Sequence, residues 1–198
     1  MLSLKSLFAA FAVVLATPMA IAPVASAQGS TVVVIDRVQI FARSKAGQDI
    51  QAKMANIEQA MQAELKPTVD ALTAERASLD AKAQGKTQEA ILADTTLTGE
   101  IEQHAIKARQ FNVARQVAAR ELQMTERQAL GEFNNALIPV LRQVVAERGA
   151  NVILDNSQVV FVDEATEVSA DVIAKLDAAT PTINVVRQKM PPPQAAQQ

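Results

Sequence analysis

The chain has no cysteine, tryptophan or tyrosine, and a single histidine among its 198 residues. Without cysteine there is no disulfide scaffold, zinc–thiolate site, thiol nucleophile or attachment point for an N-terminal lipid. One histidine, His104, does not build the multi-histidine sites of many metalloenzymes. Aromatic residues make up 3% and are all phenylalanine. A globular core of this length ordinarily uses some tryptophan and tyrosine. Their absence beside abundant alanine, glutamine, glutamate, lysine and leucine points to long helices or coiled coil. A positive surplus is missing too: the net charge is −2. Nucleic acid is therefore not an expected partner, because binding it requires a basic surface to neutralise phosphates. The sequence also lacks a phosphate-cradling glycine loop and a nucleophile set beside a base. His104 stands amid Glu102, Gln103 and Lys107 and reads as a solvated side chain of a polar helix. Glu100 and Glu102 are two residues apart, a spacing that points their carboxylates away from each other on a helix. The chain reads as a non-enzyme that needs no cofactor and no metal.

What is present begins with an export signal. Lys5 supplies a positive n-region, residues 7–15 (LFAAFAVVL) an apolar h-region, and Ala25-Ser26-Ala27 a small-x-small cleavage pattern. Thr17, Pro18 and Pro23 interrupt the apolar stretch before it reaches the roughly 20 residues of a membrane span. Residues 1–27 are expected to be cleaved after Ala27, which leaves 18 basic and 21 acidic residues.

Residues 31–35 (TVVVI) are short, β-branched and continuously apolar, the pattern of a buried strand. From 44 to 148 the character changes. Ile50, Met54, Ile57, Met61, Leu65, Val69, Leu72 and Leu79 recur at helical spacing on an outgoing half. Pro67 lies within it, where a bend is expected. Gly85, Asp94-Thr95-Thr96 and Gly99 mark a turn between 84 and 99. On the returning half, Phe111, Ala114, Ala118, Leu122, Ala129, Phe133, Leu137, Val140 and Val144 form a second stripe. Residues 49–102 carry ten acids and five bases, and residues 104–128 five bases and two acids. Opposite signs suit two antiparallel helices, with each exposed pair contributing at most about 1 kcal/mol. A helix of about 40 residues would be about 60 Å long.

Gly149 is placed as a helix C-cap. Residues 151–154 (NVIL) read as a second buried strand, and 159–162 (VVFV) as a third that pairs with it in a hairpin across Asp155-Asn156-Ser157. Ser169 suits the N-cap of a short helix over 170–177, and 182–186 an edge strand. Residues 189–198, rich in proline and glutamine, read as a disordered tail. The fold class is α+β. Residues 28–42 and 149–188 form a β-rich oligomerisation body, and 43–148 a long antiparallel helical-hairpin arm. Three or four short strands make a marginal sheet, and closing it between several chains into a barrel-like body removes the exposed edges. Val33, Val34, Ile35, Val152, Ile153, Leu154, Val159, Val160 and Val162 are the expected body residues.

The pieces 33–52 (VVVIDRVQIFARSKAGQDIQ) and 151–178 (NVILDNSQVVFVDEATEVSADVIAKLDA), with the charged hairpin between them, resemble the Skp (OmpH-like) family of periplasmic chaperones. The resemblance implies a homotrimer whose shared β-barrel carries three helical arms around a cavity. That cavity holds unfolded outer-membrane proteins without ATP until insertion, which makes the outer-membrane assembly machinery a further implied partner. No binding residue carries over by motif. Met54, Ile57, Met61, Leu65 and Leu72 are the candidate client-binding surface, since methionine repacks readily against varied chains; the same stripe also suits simple packing against the partner helix. Best-known members are strongly basic and this chain is not, so contact with lipopolysaccharide or membrane stays open. It would have to use Lys82, Lys86 or the 107–120 face. A structural coiled-coil spacer of the envelope is the alternative reading.

Overall fold

A computed structural model describes residues 30–191. The expected signal, residues 1–27, and residues 192–198 of the expected tail lie outside the described residues. In chain order the elements are β1 (Val32–Ile35), α1 (Arg37–Arg43), α2 (Lys45–Ala83), α3 (Gln88–Ala93), α4 (Thr95–Arg148), β2 (Val152–Asp155) and α5 (Ser169–Ala179).

The arm forms because its two halves carry largely helix-favouring sequence, interrupted by Pro67 and Pro139 and bounded by caps. Ser44 caps α2 by accepting a hydrogen bond from the Gly47 amide. Asp94 caps α4 by accepting one from the Leu97 amide; both side chains satisfy amides that a helix start leaves without partners. Gly149 ends α4 in the left-handed conformation at φ 59°, where glycine carries no steric penalty. The reversal spans residues 84–94, with Gly85 at φ 76° and α3 as a single short helix at the tip. Gly99, which the sequence places in the turn, lies inside α4. Helix α2 runs on through Pro67 and α4 through Pro139. Ser44 breaks α1 from α2, and the corner is tight. A Cβ on Gly47 would lie 1.8 Å from the Phe41 carbonyl oxygen, so no other residue fits without moving the backbone.

The chain is mostly helical, and the body adds only a small sheet of its own to α1 and α5. Among the described residues its sheet has two strands, β1 and β2, in parallel, with Val32 opposite Val152 and Ile35 opposite Asp155. The other edge of β1 is taken by an isolated bridge from Val34 to Glu167. Its core gathers Val33, Ile35, Ile40, Ile50, Phe133, Val140, Val144, Val172 and Leu176. Phe41 meets Phe133 edge to face at 5.1 Å.

Residues 159–162 form no strand, so the hairpin expected with β2 is absent. The Asp155 carboxylate accepts from both the Ser157 amide and its hydroxyl, which winds residues 156–158 into a 3-10 turn and steers the chain away from an antiparallel return. Val159 and Val162 are half-buried and Val160 is fully exposed, as is most of Phe161. Strand β2 itself is a half-exposed edge, with Val152 and Leu154 each 37% exposed. Ser169 does not cap its own helix. Its hydroxyl accepts the Asp36 amide at 2.7 Å, which ties the end of β1 to the start of α5. Residues 182–186 are likewise no strand.

Candidate functional site

Helices α2 and α4 lie antiparallel and make the most extensive contact between any two elements. Glu75 pairs with Lys107, and Lys82 with Glu100. Each pair lies seven residues from the other along both helices, so the register is constant over two turns. The tip is closed by Lys86 on Asp94 at 2.8 Å. His104, which the sequence places in solvent, is drawn into this seam with Nδ1 3.4 Å from a Glu75 carboxylate oxygen. The Lys107 ammonium, and then His104, hold the Glu75 carboxyl below its ordinary range. The lysines that would offer a basic tip, Lys82, Lys86 and Lys107, are each paired with a carboxylate. Divided at the real turn, the halves are nearly balanced. Helix α2 carries six acids and five bases, and α4 six acids and seven bases. The apparent asymmetry arose from counting Glu89, Asp94, Glu100 and Glu102 on the outgoing side and leaving out Lys45.

Below the tip the two helices face each other across a shallow apolar groove. Its lower part is lined by Met61, Leu65, Val113, Ala114, Val117 and Ala118, and its upper part by Leu72 and Phe111. Of the candidate client-binding residues, Met61 is buried at 5% exposure, while Met54, Ile57, Leu65 and Leu72 are half-buried. Met54 packs on the body core. Met61 and Leu65 share the lower groove, and Leu72 lies in the upper one.

The foot of this groove is covered by the segment that follows α5. The Ile183 amide donates to Asp49 at 2.9 Å, and its carbonyl accepts from Lys53 at 2.6 Å. Farther toward the tip the Gln188 amide donates to the Thr125 hydroxyl, and the Met190 amide to Glu121, both at 2.9 Å. Between them the Arg187 guanidinium bridges the helices, reaching Glu64 on α2 and Glu121 on α4. Residues 183–190 therefore form a strap running from the body toward the tip. Burial alone would push the Glu121 carboxyl up; the Met190 amide, Arg187 and Lys189 outweigh it, and the net shift is down. Glu64, then Glu121, raise the Arg187 guanidinium against the opposing effect of burial. The Asp49 carboxyl is lowered by Lys53 and by the Ile183 amide.

The body presents a second surface. Val33, Val34 and Ile35, expected in the body, are 3–4% exposed and packed within the chain itself. Val152, Leu154 and Val160 are open, together with two residues that the sequence reading did not single out, Val38 at 80% and Phe161 at 81%. Phe161 could have been found, since an apolar β-branched run with no partner in its own chain demands a cover. Val38 gave no such signal.

No curated protein matches the chain. A solved structure described as a candidate outer membrane chaperone (OmpH-like) from Caulobacter crescentus CB15 is similar to it. That similarity has a TM-score of 0.70 and 25% identity over 81% of this chain and 92% of that one. The family model for outer membrane protein (OmpH-like) matches residues 31–176. With well over half of the chain matched by that family model, the chain belongs to the OmpH-like family.

Proposed function

We propose that the chain is an ATP-independent holding chaperone of the periplasm, which binds unfolded outer-membrane proteins and keeps them from aggregating before insertion. The observation that carries this reading is the shape of the arm's apolar surface. Met61, Leu65, Val113, Val117, Leu72 and Phe111 line an open groove rather than a closed core. Its lining residue Val113 is 48% exposed. A shallow groove with methionine and small side chains suits many weak, adaptable contacts with varied chains. A client whose transmembrane strands alternate apolar and polar residues is adhesive only while unfolded, and preferential binding of that state needs no chemical cycle.

Three copies would multiply those weak contacts by raising the effective concentration of arms around one client. The exposed Val38, Val152, Leu154, Val160 and Phe161 support assembly, because large apolar side chains left open on so small a body suit cover by a second chain. An OmpH-like relative described as an outer membrane chaperone candidate supports the same class of client. The neutralised lysines at the tip favour a protein client over a lipid surface.

The test is light scattering of a urea-unfolded outer-membrane barrel protein diluted into buffer without ATP, with and without the mature chain. Suppression saturating near three chains per client supports the trimeric holdase. No suppression at several-fold excess of folded, helical protein moves the reading to a structural spacer of the envelope.

A further inference from the structure

Glu121 and Thr125 stand on the line of α4 that continues through Ala129, Phe133 and Leu137, at the spacing that elsewhere carries apolar side chains. Both are buried, at 5% and 0% exposure. A carboxylate in such a seam is costly unless it is hydrogen-bonded, and the hydrogen bonds that its oxygens accept come from the strap: Met190 and Arg187. Thr125 takes the Gln188 amide while donating to the Glu121 carbonyl. With Asp49 and Lys53 at the base, four side chains of the arm grip the main chain of residues 183–190. Those contacts do not depend on which residue the strap carries. Just beyond lies the open groove of Met61, Leu65, Val113 and Val117.

We propose that this stretch of the α2–α4 seam is a site for extended polypeptide main chain. In the free protein the chain's own residues 183–190 fill it, and a segment of unfolded client takes the same place by displacing them. The inference rests on the holding function proposed above and adds its site and its restraint. Unfolded clients share no sequence, but all of them offer amides and carbonyls. Glu121, Thr125, Asp49 and Lys53 present acceptors and a donor to such groups, and the adjoining groove accepts apolar side chains. Because the strap is tethered, it competes at an effective concentration in the millimolar range. A single stray contact does not dislodge it, whereas a chain held at several points does.

The absence of cysteine makes a clean test. The 2.9 Å hydrogen bond between the Gln188 amide and the Thr125 hydroxyl makes these two positions the pair to cross-link, with closure of the disulfide verified by loss of free thiol before titration. The double variant Thr125→Cys/Gln188→Cys is therefore locked when oxidised and free when reduced. Titrated with a urea-unfolded barrel protein, the oxidised form is expected to bind at least fivefold more weakly than the reduced form. Equal affinity in the two states, with holding intact, overturns the displacement. A second arm uses no client. A chain ending at Val186 keeps the Ile183 anchor and, once its folding is verified by circular dichroism, is titrated with a synthetic peptide of residues 187–198. Saturable binding, weakened at least fivefold by Thr125→Val, supports the main-chain site; no binding up to millimolar peptide overturns it. If the peptide binds while neither wild type nor the reduced variant holds a client, the holding function falls and client displacement with it, leaving only a self-docking site.

Discussion

At Glu121 burial and hydrogen bonding oppose each other, and the outcome is a pH dependence. Its carboxyl is lowered in the folded chain from an ordinary value of 4.5, so the folded state favours the charged form. The stabilisation is complete above that ordinary value and is lost as pH falls through the lowered one. The thermal midpoint is therefore expected to drop between pH 6 and pH 3, and to drop less in Glu121→Gln, which keeps an acceptor for the Met190 amide but has no charge to lose. Asp49, lowered by Lys53 and the Ile183 amide, adds to the same trend and accounts for part of the drop that remains. Phe133 tests the body core. It is 4% exposed and packs on Phe41, so Phe133→Ala should lower the unfolding free energy by about 3–5 kcal/mol in urea titration. Phe133, Ile50 and Met61 were legible because helical spacing marks a buried face. Glu121 and Thr125 were not. On a polar helix they read as solvated, and what buries them is a segment more than sixty residues later. Ser169 was misread for a related reason: its hydroxyl serves Asp36 across the body rather than its own helix.

Among the elements, the hairpin follows most directly from local sequence. Periodicity and a glycine after the last turn are short-range signals, and α2 and α4 follow them except at the tip, where α4 starts at Thr95 and takes in Gly99. The two pairs Glu75–Lys107 and Lys82–Glu100 fix the register, so a shortened arm can be cut squarely. Deleting residues 70–112 and rejoining the helices removes the tip and upper groove, and leaves Met61, Glu64, Glu121 and the strap in place. That variant is expected to keep its helical body and its oligomeric state in light scattering coupled to size exclusion, and to hold clients more weakly than the full arm, because only the seam and the lower groove remain. Full holding would remove the upper arm from the binding surface. The strands were less legible. An apolar β-branched run states that a surface requires cover, not which chain supplies it. Residues 31–35 find cover within the chain, whereas 159–162 do not. The strap was read as an edge strand over 182–186 followed by a tail, because its main-chain hydrogen bonds go to polar side chains of the arm and leave no periodic trace.

For the whole molecule, the open body surface around Val160 and Phe161 sets a prediction about assembly. Val160→Asp/Phe161→Asp places two charges where a partner would cover apolar side chains. Neither residue contributes to the core of its own chain, so the variant should keep its circular dichroism spectrum while its mass in light scattering falls to that of one chain. A trimeric mass unchanged by the double variant would place the assembly surface elsewhere. The parallel pairing of Val32 with Val152 has a kinetic consequence as well. The two strands are separated by the entire arm, so in an extended chain their meeting would require closing a loop of more than a hundred residues, an entropy cost that rises with loop length. Zipping α2 against α4 from the tip joins at each step residues that the preceding step has already brought near, and carries the two ends together as it proceeds. The arm is thus the folding scaffold of the body: β1, though made first, has to wait unpaired until the last quarter of the chain arrives. Folding should therefore be limited by non-local closure at the body rather than by helix formation.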